Sequence, residues 1–443
     1  PGDVSALSER LEAAAAGARP SREHTRTWAG RYDWSRVVDA HRGLYRRTLK
    51  KTSGTERPPR VVYLDHVARL SGGEIALQRL LAALDDSVDA HVVLGEEGPL
   101  VNRLIEQGIS VEVLPMSSAA RNVRKDNVRP HPLPIAAMAA TVLYVIRLAW
   151  RLRRLRPDLV HTNSLKAGIY GGLAAHLGGI PVVWHVRDRI DTDYLPRFAV
   201  MMVRRMIRRF ADVVITNSQA TMNSLGGKQR SSHIVYSVVP EVANIVTHES
   251  RPGSADHGLC VGIVGRLAPW KGQHLFLEAF AEAFPHGPHR GVVVGTALFG
   301  EDAYEESLHQ TAARLGLLDR VEFRGFRENV MAELAQLDIL VHASITPEPF
   351  GQVILEGMAA GLPVLASEGG GPSEIITDGV DGILYPRADA HALAAHLREL
   401  ALDEDRRSAL GIAARRRSLD YAPAVVARRM MDAYKAATQV AVE

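Results

Sequence analysis

Runs of apolar residues alternate with amphipathic segments along most of this chain, and the pattern predicts short strands separated by helices. Between residues 58 and 240 it predicts strands at 60–64, 90–94, 111–114, 159–161, 182–184 and 213–215. A second series predicts strands at 260–264, 291–294, 321–323, 339–341 and 364–366. Strands that alternate with helices form parallel, doubly wound sheets. The pattern therefore predicts two α/β domains, at 58–240 and 258–419, with a linker from Pro240 to His257.

The motif EPFGQVILE at 348–356 sets two carboxylates eight residues apart around Gly351. Its apolar residues predict a buried helix that begins near Gly351 and ends at Gly361 to Pro363. Glu356 would lie roughly 7–8 Å along the axis from the helix mouth, enough for the pair to bracket a diphosphate. The first-turn amides favour an anion, and the glycine turn at 369–371 opens another such helix. The motif alone is equally typical of glutamates that stabilise a helix dipole or are solvated.

The composition indicates a globular protein large enough for two domains. The chain has 443 residues, of which 46% are hydrophobic and 23% charged. Cys260 is its single cysteine and lies in an apolar run. One cysteine cannot form an internal disulfide or a cysteine-based metal cluster. Residues 1–50 lack the apolar core of a signal peptide, and we expect a cytoplasmic protein.

Arginines are grouped at 147–156 and 204–209, although the net charge is only +3. The uncharged run from Leu133 to Ile146 before them is too short to span a bilayer. This segment suits a helix that lies on an anionic membrane surface, at the periphery of the membrane. It equally suits a helix whose apolar face packs on a sheet while the arginines are solvated. Because the arginines lack interleaved aromatic residues, no nucleic-acid partner is expected.

Several segments together resemble the retaining, nucleotide-sugar-dependent glycosyltransferases of family 4. The segments that carry the resemblance are 261–272, 294–295, 321–326, 343–344, 348–356 and 369–374. The resemblance extends over residues 60–440 and implies a GT-B fold, in which two Rossmann-like domains face each other across a cleft. It also implies a metal-independent transferase that needs no cofactor and uses a nucleotide diphosphate sugar as donor. The segment 420–443 is then expected to be a helix that crosses back to the first domain.

The resemblance also implies roles for residues of the second domain. Arg266 and Lys271 would stabilise the charge that develops on the leaving diphosphate. Glu348 would bind sugar hydroxyls, and Glu356 would accept hydrogen bonds from the ribose. The full donor-binding set is Gly265, Arg266, Lys271, Gly325, Phe326, Glu348, Phe350, Gly351, Gln352 and Glu356.

Residues of the first domain are expected on the acceptor side, namely Gly72, Gly73, Asn163 and Asp188. The family often has a histidine where this chain has Arg187, and His185 stands two positions earlier. Both would lie on the same face of a strand and could reach the cleft, although a histidine held inside the fold is an alternative for His185. The catalytic candidates are Arg266, Lys271, Glu348, His185 and Arg187.

The predicted function is transfer of a sugar, with retention of anomeric configuration, to a polysaccharide precursor or a lipid-linked acceptor. Two alternatives stay open: a nucleotide-sugar epimerase of the same fold, and a catalytically silent subunit that binds sugar nucleotides.

Residues 1–57 are predicted to be a helical extension. Because residues 32–38 resemble the segment 420–426, we hypothesise that the extension is the tail of an upstream glycosyltransferase module.

Overall fold

The computed structural model describes residues 57–116, 135–193, 195–239, 258–298 and 300–440, without the side chains of 135–138 and 440. The helical extension predicted for residues 1–57 lies outside the described residues, apart from position 57. The linker predicted from Pro240 to His257 lies outside them as well.

Two parallel sheets organise the described chain, and they confirm the GT-B class. The first sheet has the strand order β3-β2-β1-β4-β5-β6-β7, and the second has the order β10-β9-β8-β11-β12-β13. In each sheet the order reverses beside the first strand, where α/β proteins form a crevice at the carboxyl ends of the strands. The strands are β1 (Arg60–Asp65), β2 (Asp89–Leu94), β3 (Ser110–Val113), β4 (Leu159–Thr162), β5 (Val182–Val186), β6 (Val213–Thr216), β7 (Ser232–Ile234), β8 (Cys260–Val264), β9 (Arg290–Val294), β10 (Val321–Gly325), β11 (Ile339–His342), β12 (Val364–Ser367) and β13 (Ile383–Tyr385).

Every strand that the apolar runs predict is present, but the sequence missed β7 and β13. Each of these has three residues and lies at the edge of its sheet. Such a short strand contains too few positions to show an alternating pattern.

Helices connect the strands. They are α1 (Gly72–Leu84), α2 (Pro99–Glu106), α3 (Ile135–Leu155), α4 (Leu165–Gly178), α5 (Arg197–Phe210), α6 (Gln219–Ser224), α7 (Gln273–Ala283), α8 (Asp302–Arg314), α9 (Val330–Leu334), α10 (Gln352–Ala359), α11 (Pro372–Ile375), α12 (Ala390–Leu402), α13 (Glu404–Ser418) and α14 (Pro423–Val440). Among the described helices, none is both long and apolar enough to cross a membrane. The helix predicted from Gly351 is α10. The first arginine group lies on α3, except for Arg156 directly after it, and the second lies on α5.

The last helix joins the core of the first sheet, although it follows the second sheet in the chain. Val426, Met430 and Tyr434 of α14 are buried in the cluster that contains Tyr63 and Leu77. The Tyr434 hydroxyl donates to the Tyr63 hydroxyl at 3.0 Å. These contacts attach the end of the chain to the wall of the cleft formed by β1 and α1.

Candidate active site

A lysine and a glutamate form an ion pair at the carboxyl edge of the second sheet. Lys271 ends a 3₁₀ turn that follows β8, and Glu348 lies in the loop between β11 and α10. The Lys271 Nζ is 2.7 Å from Glu348 Oε2, and the two side chains are only 20% and 10% exposed. Because both groups are charged and shielded from water, this bond is stronger than an exposed ion pair. The structure thus brings two predicted catalytic residues together.

Two more side chains converge on the same carboxylate oxygen. The Ser344 hydroxyl donates to Glu348 Oε2 at 2.9 Å, and His342 Nε2 lies 3.4 Å from it. Burial acts to raise the pKa of Glu348, but the charge of Lys271 and the contact with His342 outweigh burial and hold the pKa well below its usual range. Glu348 is therefore an ionised acceptor, suited to binding hydroxyl groups. Sequence reasoning missed His342 because it lies inside a strand with a core pattern.

The glycine turn before α11 supports Glu348 from behind. Gly371 N donates to Glu348 O at 2.9 Å. A Cβ atom at Gly370 would lie 2.0 Å from the same carbonyl oxygen, and one at Gly371 would lie 2.0 Å from Phe350 O. Only glycine permits the two backbones to approach this closely. The predicted glycine turn thus positions the glutamate loop.

Glu356 pairs with an arginine from the other side of the cleft. The Nη1 of Arg79, on α1, is 2.6 Å from Glu356 Oε1, and the side chains are 20% and 8% exposed. With its amide oxygen toward Arg79, Gln352 donates to Gly72 O at 3.1 Å. These contacts join α10 to α1, at its first residue, Gly72, and at Arg79. The sequence offered no signal for Arg79, because its helix pattern does not show what faces it across the cleft.

We expect Arg79→Ala to weaken the binding of a nucleotide diphosphate by about tenfold. Removing one member of a shielded ion pair leaves the other buried without its partner, so Glu356 would lose the contact that orients it. Calorimetric titration of the variant would measure the change. Arg314→Ala, at the exposed end of α8, is the matched control, and unchanged or tighter binding by Arg79→Ala would contradict this role.

On the opposite wall, Asn163 links Gly73 and Arg187, which the sequence predicted at the cleft, to Asp65, which it did not predict. Its Nδ2 donates to Asp65 Oδ2 at 2.6 Å and to Gly73 O at 3.1 Å, and its Oδ1 accepts from Arg187 Nε at 2.8 Å. Asp65 is buried, which acts to raise its pKa, but hydrogen bonds from His66, Asn163 and Ser164 and the charge of His66 lower it overall. One connected polar cluster is therefore formed by the carboxyl ends of β1, β4 and β5 and the first turn of α1.

Glu74 belongs to this cluster and directly follows Gly72 and Gly73, in the loop that the sequence predicted on the acceptor side. It lies in the first turn of α1 with 4% exposure, and Ser71 donates its hydroxyl to Glu74 Oε2. Burial and the nearby charge of Asp65 raise the pKa of Glu74 to about 8, against the lowering effects of Ser71 and Arg187. The sequence signal was the Ser71-x-x-Glu74 spacing of a capping box. The Ser71 side chain, however, accepts no hydrogen bond from a helix amide. The Ser71–Glu74 hydrogen bond therefore belongs to the polar cluster on the wall of the cleft.

We expect Glu74→Gln to stabilise the protein increasingly as the pH rises. The folded pKa of about 8 lies above the ordinary glutamate pKa of 4.5, so the folded state holds a proton that the unfolded state releases between these values. The favourable contribution of Glu74 is complete below the unfolded pKa and is lost as pH rises through the folded pKa. Glutamine mimics the protonated form and does not titrate.

Urea unfolding of wild type and variant at about pH 5 and about pH 9 measures this difference. The gain in the free energy of unfolding should be larger at the higher pH. Glu106→Gln, on an exposed position of α2, should show no such trend. If the free energy of unfolding of Glu74→Gln and of wild type changed equally with pH, the raised pKa of Glu74 would be contradicted.

The structure corrects the expectation that His185 reaches the cleft. Its side chain is 1% exposed, and its Nδ1 lies 3.1 Å from His161 Nε2. His161 in turn lies 2.9 Å from the hydroxyl of Tyr434 on α14. Burial and the charge of Arg187 lower the pKa of His161 to about 3 and that of His185 well below its usual value. His185 is therefore a neutral core residue, because α14 closes off the face of the sheet to which it points.

The remaining predicted residues lie along the cleft with different exposures. The Arg266 guanidinium carbon and Lys271 Nζ lie 5.7 and 4.3 Å from the ring centre of Trp270, so both cations converge on one indole. Phe350 is 3% exposed and stacks on Tyr236 at 5.7 Å, which leaves only its backbone to contact a ligand. Phe326 is 51% exposed after β10. Of the other positions, Gly72 begins α1 and Gly325 ends β10. Asp188 and Gly265 lie in loops after strands, and Gly351 directly precedes α10.

Glu374, in the glycine-turn motif, caps a helix of the first domain. Its carboxylate accepts from Gln219 N at 2.8 Å and from Ala220 N at 2.7 Å, in the first turn of α6. Beside it, Ser218 donates its hydroxyl to Pro349 O at 2.6 Å. A carboxylate at exposed helix amides is favourable because it accepts from donors that lack a helical partner. These contacts and the Arg79–Glu356 pair hold the two walls of the cleft together.

The chain matches two protein-family models. Residues 99–240 match the model described as Glycosyltransferase Family 4, and residues 247–417 match the model described as Glycosyl transferases group 1. The first match covers strands β3 to β7 of the first sheet, and the second covers strands β8 to β13, the whole of the second sheet.

Relatives and solved structures agree with these matches. A GDP-mannose-dependent alpha-mannosyltransferase of Mycobacterium tuberculosis is 30% identical over 313 residues, which are 65% of this chain and 78% of the relative. A D-inositol 3-phosphate glycosyltransferase of Corynebacterium glutamicum is 27% identical over 350 residues, 70% of this chain and 82% of the relative. The structure of HepE from Anabaena in complex with UDP-glucose is similar with a TM-score of 0.73 and 28% identity, over 85% of this chain and 99% of HepE.

Proposed function

Since this chain belongs to the GT-B glycosyltransferases of group 1, we propose that it transfers a sugar from a nucleotide diphosphate sugar to a lipid-linked or polysaccharide-precursor acceptor with retention of configuration. The observation that carries the proposal is the Lys271–Glu348 pair with Arg266 close by. Transfer of a sugar from a nucleotide diphosphate requires cations beside the departing diphosphate and a group that holds the sugar. The cations bind the leaving group, and the carboxylate holds the sugar.

The chemistry assigned to Arg266 and Lys271 is stabilisation of negative charge. As the bond between the anomeric carbon and the diphosphate oxygen breaks, the electron pair remains on the diphosphate. Two fixed cations in a shielded site stabilise that charge without needing to reorganise. The pairing of Lys271 with Glu348 orients the ammonium group before the donor arrives.

The state of Glu348 supports a retaining reaction without a protein nucleophile. Its Oε2 is engaged by Lys271, Ser344 and His342, which reduces its nucleophilicity. The acceptor oxygen then attacks the anomeric carbon on the face from which the diphosphate leaves. Its proton passes to a phosphate oxygen of the departing group, so the new glycosidic bond keeps the original configuration.

Donor binding and product stereochemistry test the proposal. A panel of nucleotide sugars would be titrated into wild type, Lys271→Ala and Glu356→Ala, with calorimetry for binding and mass spectrometry for slow hydrolysis. Tight binding of one donor that is lost in both variants is the expected result. Absence of binding to any donor would contradict donor use, and an inverted anomer in the product, seen by NMR, would contradict retention.

The two interpretations of the apolar segment before the first arginines apply to opposite faces of α3. Tyr144, Val145 and Leu148 are buried, whereas Ile146 and Trp150 are 54% and 53% exposed. The guanidinium carbon of Arg154 lies 3.5 Å from the centre of the Trp150 ring. Exposed apolar and indole groups next to arginines fit the interface of an anionic membrane. We therefore propose that this face of α3 contacts the membrane that carries the acceptor.

Vesicle co-sedimentation tests this contact. Ile146→Glu with Trp150→Glu should abolish binding to vesicles that contain phosphatidylglycerol, because two carboxylates would face an anionic, apolar interface. Leu402→Glu, which changes a residue that is 90% exposed at the end of α12, should leave binding intact. Equal binding by both variants would rule out the α3 face.

A further inference from the structure

The guanidinium group of Arg187 is anchored at one end and open at the other. Its Nε donates to Asn163 Oδ1 at 2.8 Å, and the Arg187 carbonyl accepts from Asn217 Nδ2 at 3.0 Å. Across the described parts of the chain, neither terminal nitrogen of Arg187 forms a hydrogen bond or an ion pair. The side chain is therefore held in one orientation while its two NH₂ groups remain available to a ligand.

Open space adjoins this guanidinium group at the start of α1. A Cβ atom at Gly73 would lie 3.7 Å from Arg187 Cδ, whereas one at Gly72 would meet nothing within 4 Å. The Gly72 carbonyl accepts from Gln352, in the first turn of α10, at 3.1 Å. A ligand bound by Arg187 would thus lie in the cleft, beside the first turns of α1 and α10.

The neighbouring carboxyl groups leave the charge of Arg187 available. Both oxygens of Asp65 accept hydrogen bonds from other groups, Oδ1 from Ser164 and Oδ2 from Asn163. Glu74, whose pKa is about 8, holds a proton at neutral pH. Burial lowers the pKa of Arg187 to about 10 against the charges of Asp65 and Glu74, so the group is still a cation at neutral pH. A cation that is shielded from water without a counter-ion is unfavourable, and a bound anion would offset this penalty.

The charges of the site favour a singly charged anion. Asp65 is ionised, because the hydrogen bonds and the charge of His66 outweigh burial and lower its pKa, and it would repel a dianion more strongly than a monoanion. The planar guanidinium group binds a carboxylate through two parallel hydrogen bonds. The exposed amides at the start of α1 add a positive partial charge. Among sugars, a carboxylate distinguishes a uronic acid from the neutral hexose, which has a hydroxymethyl group in its place.

We propose that Arg187 binds the carboxylate of a uronic acid, so that the enzyme selects this sugar over the neutral hexose. The inference rests on the proposed transferase function and names the class of sugar on which it acts. Two sources share this chemistry, the sugar of the nucleotide donor and a sugar of the acceptor. In both, each NH₂ group of Arg187 donates to one carboxylate oxygen while Asn163 fixes the plane of the guanidinium group.

Matched pairs of ligands test the site on the full chain. The donor pairs are UDP-glucuronate with UDP-glucose, and GDP-mannuronate with GDP-mannose, measured by calorimetry. The acceptor pair is methyl glucuronide with methyl glucoside, titrated by NMR in the presence of UDP or GDP. The members of each pair differ only in the carboxylate. A general loss of folded protein therefore lowers the binding of both equally and leaves their affinity ratio unchanged.

Arg187→Gln removes the guanidinium group and keeps a side-chain amide. Arg189→Gln is the matched control, because Arg189 is two positions away and its guanidinium lies 3.2 and 2.7 Å from Asp191 and Asp193. We expect wild type and the control to bind the uronate of at least one pair about tenfold more tightly than the neutral sugar. In Arg187→Gln this preference should fall to within about twofold. A preference in a donor pair identifies the donor sugar as the source, and one in the acceptor pair identifies the acceptor.

No preference for a uronate in wild type, or an equal preference in wild type and Arg187→Gln, would overturn the proposal. Weakening of UDP or GDP alone by the same factor as the uronate donor would do so as well, since Arg187 would then contact the diphosphate. If Arg187→Gln does not fold, Arg187→Lys keeps the charge without the planar fork and should show a smaller preference; an undiminished one would refute the site. Binding of neutral donors without a preference refutes only this inference, whereas absence of binding of every nucleotide sugar refutes the proposed function with it.

Discussion

Lys271→Ala is expected to lower kcat/KM for sugar transfer by about 10²–10³-fold, or ~3–4 kcal/mol of transition-state stabilisation. The ammonium group is 2.7 Å from Glu348 and 4.3 Å from the centre of the Trp270 ring, so it is fixed before the donor binds. Its loss removes charge stabilisation from the leaving diphosphate. It also leaves Glu348 buried without its main cation, so burial would raise the pKa of that carboxyl.

Initial rates of donor hydrolysis or transfer across a pH series would measure this effect. A rise in the Glu348 pKa should shift the low-pH side of the variant's rate-versus-pH profile to higher pH, because the carboxylate must be ionised to bind hydroxyls. Lys435→Ala, on an exposed position of α14, is the control and should keep full activity. A loss of less than about threefold for Lys271→Ala would exclude the lysine from charge stabilisation.

Gly272→Ala is expected to destabilise the protein by more than about 3 kcal/mol and to abolish donor binding. Gly272 has φ +71°, and a Cβ atom there would lie 1.9 Å from Ala343 O. The backbone strain alone costs about 1–2 kcal/mol, and the collision adds to it. Relief of the collision must separate the Lys271 turn from the end of β11, where Ser344 contacts Glu348.

Gly379→Ala distinguishes strain from collision. Gly379 has the same φ of +71°, but a Cβ atom there would meet nothing within 4 Å. We therefore expect the free energy of unfolding of this control to fall by only about 1–2 kcal/mol, and we expect normal donor binding. Urea unfolding and calorimetry of both variants would check the pair. Equal destabilisation would show that the close approach to Ala343 is not what requires glycine at position 272.

Much of the fold was predictable because its information is local. Each predicted strand is an apolar run, and α10 begins after Gly351 as the EPFGQVILE motif indicated. The edge strands β7 and β13 were missed because three residues carry no recognisable period. That residues 1–57 are the tail of an upstream module stays a hypothesis, since residues 32–38, which resemble 420–426, lie outside the described residues.

The donor and acceptor roles of the site residues stay predictions, and the structure shows which of these residues meet, as it does for Lys271 and Glu348. Lys271 and Glu348 stand in motifs whose residue types indicate their chemistry. His185 was misplaced, because period-two alternation identifies a face of β5 but not the helix that covers it. That helix, α14, comes from the other end of the chain and buries His185 through His161 and Tyr434.

The sequence by itself determined most of the strands and the glycine turns, because each depends on neighbours along the chain, and the family resemblance predicted the donor-binding residues. Tertiary structure decided which distant groups meet. It placed Arg79 against Glu356, Glu374 at the amides of α6, and Glu74 beside Asp65. These are contacts between elements far apart in sequence, and their energies depend on burial and on the charge of the partner. No local pattern contains that information.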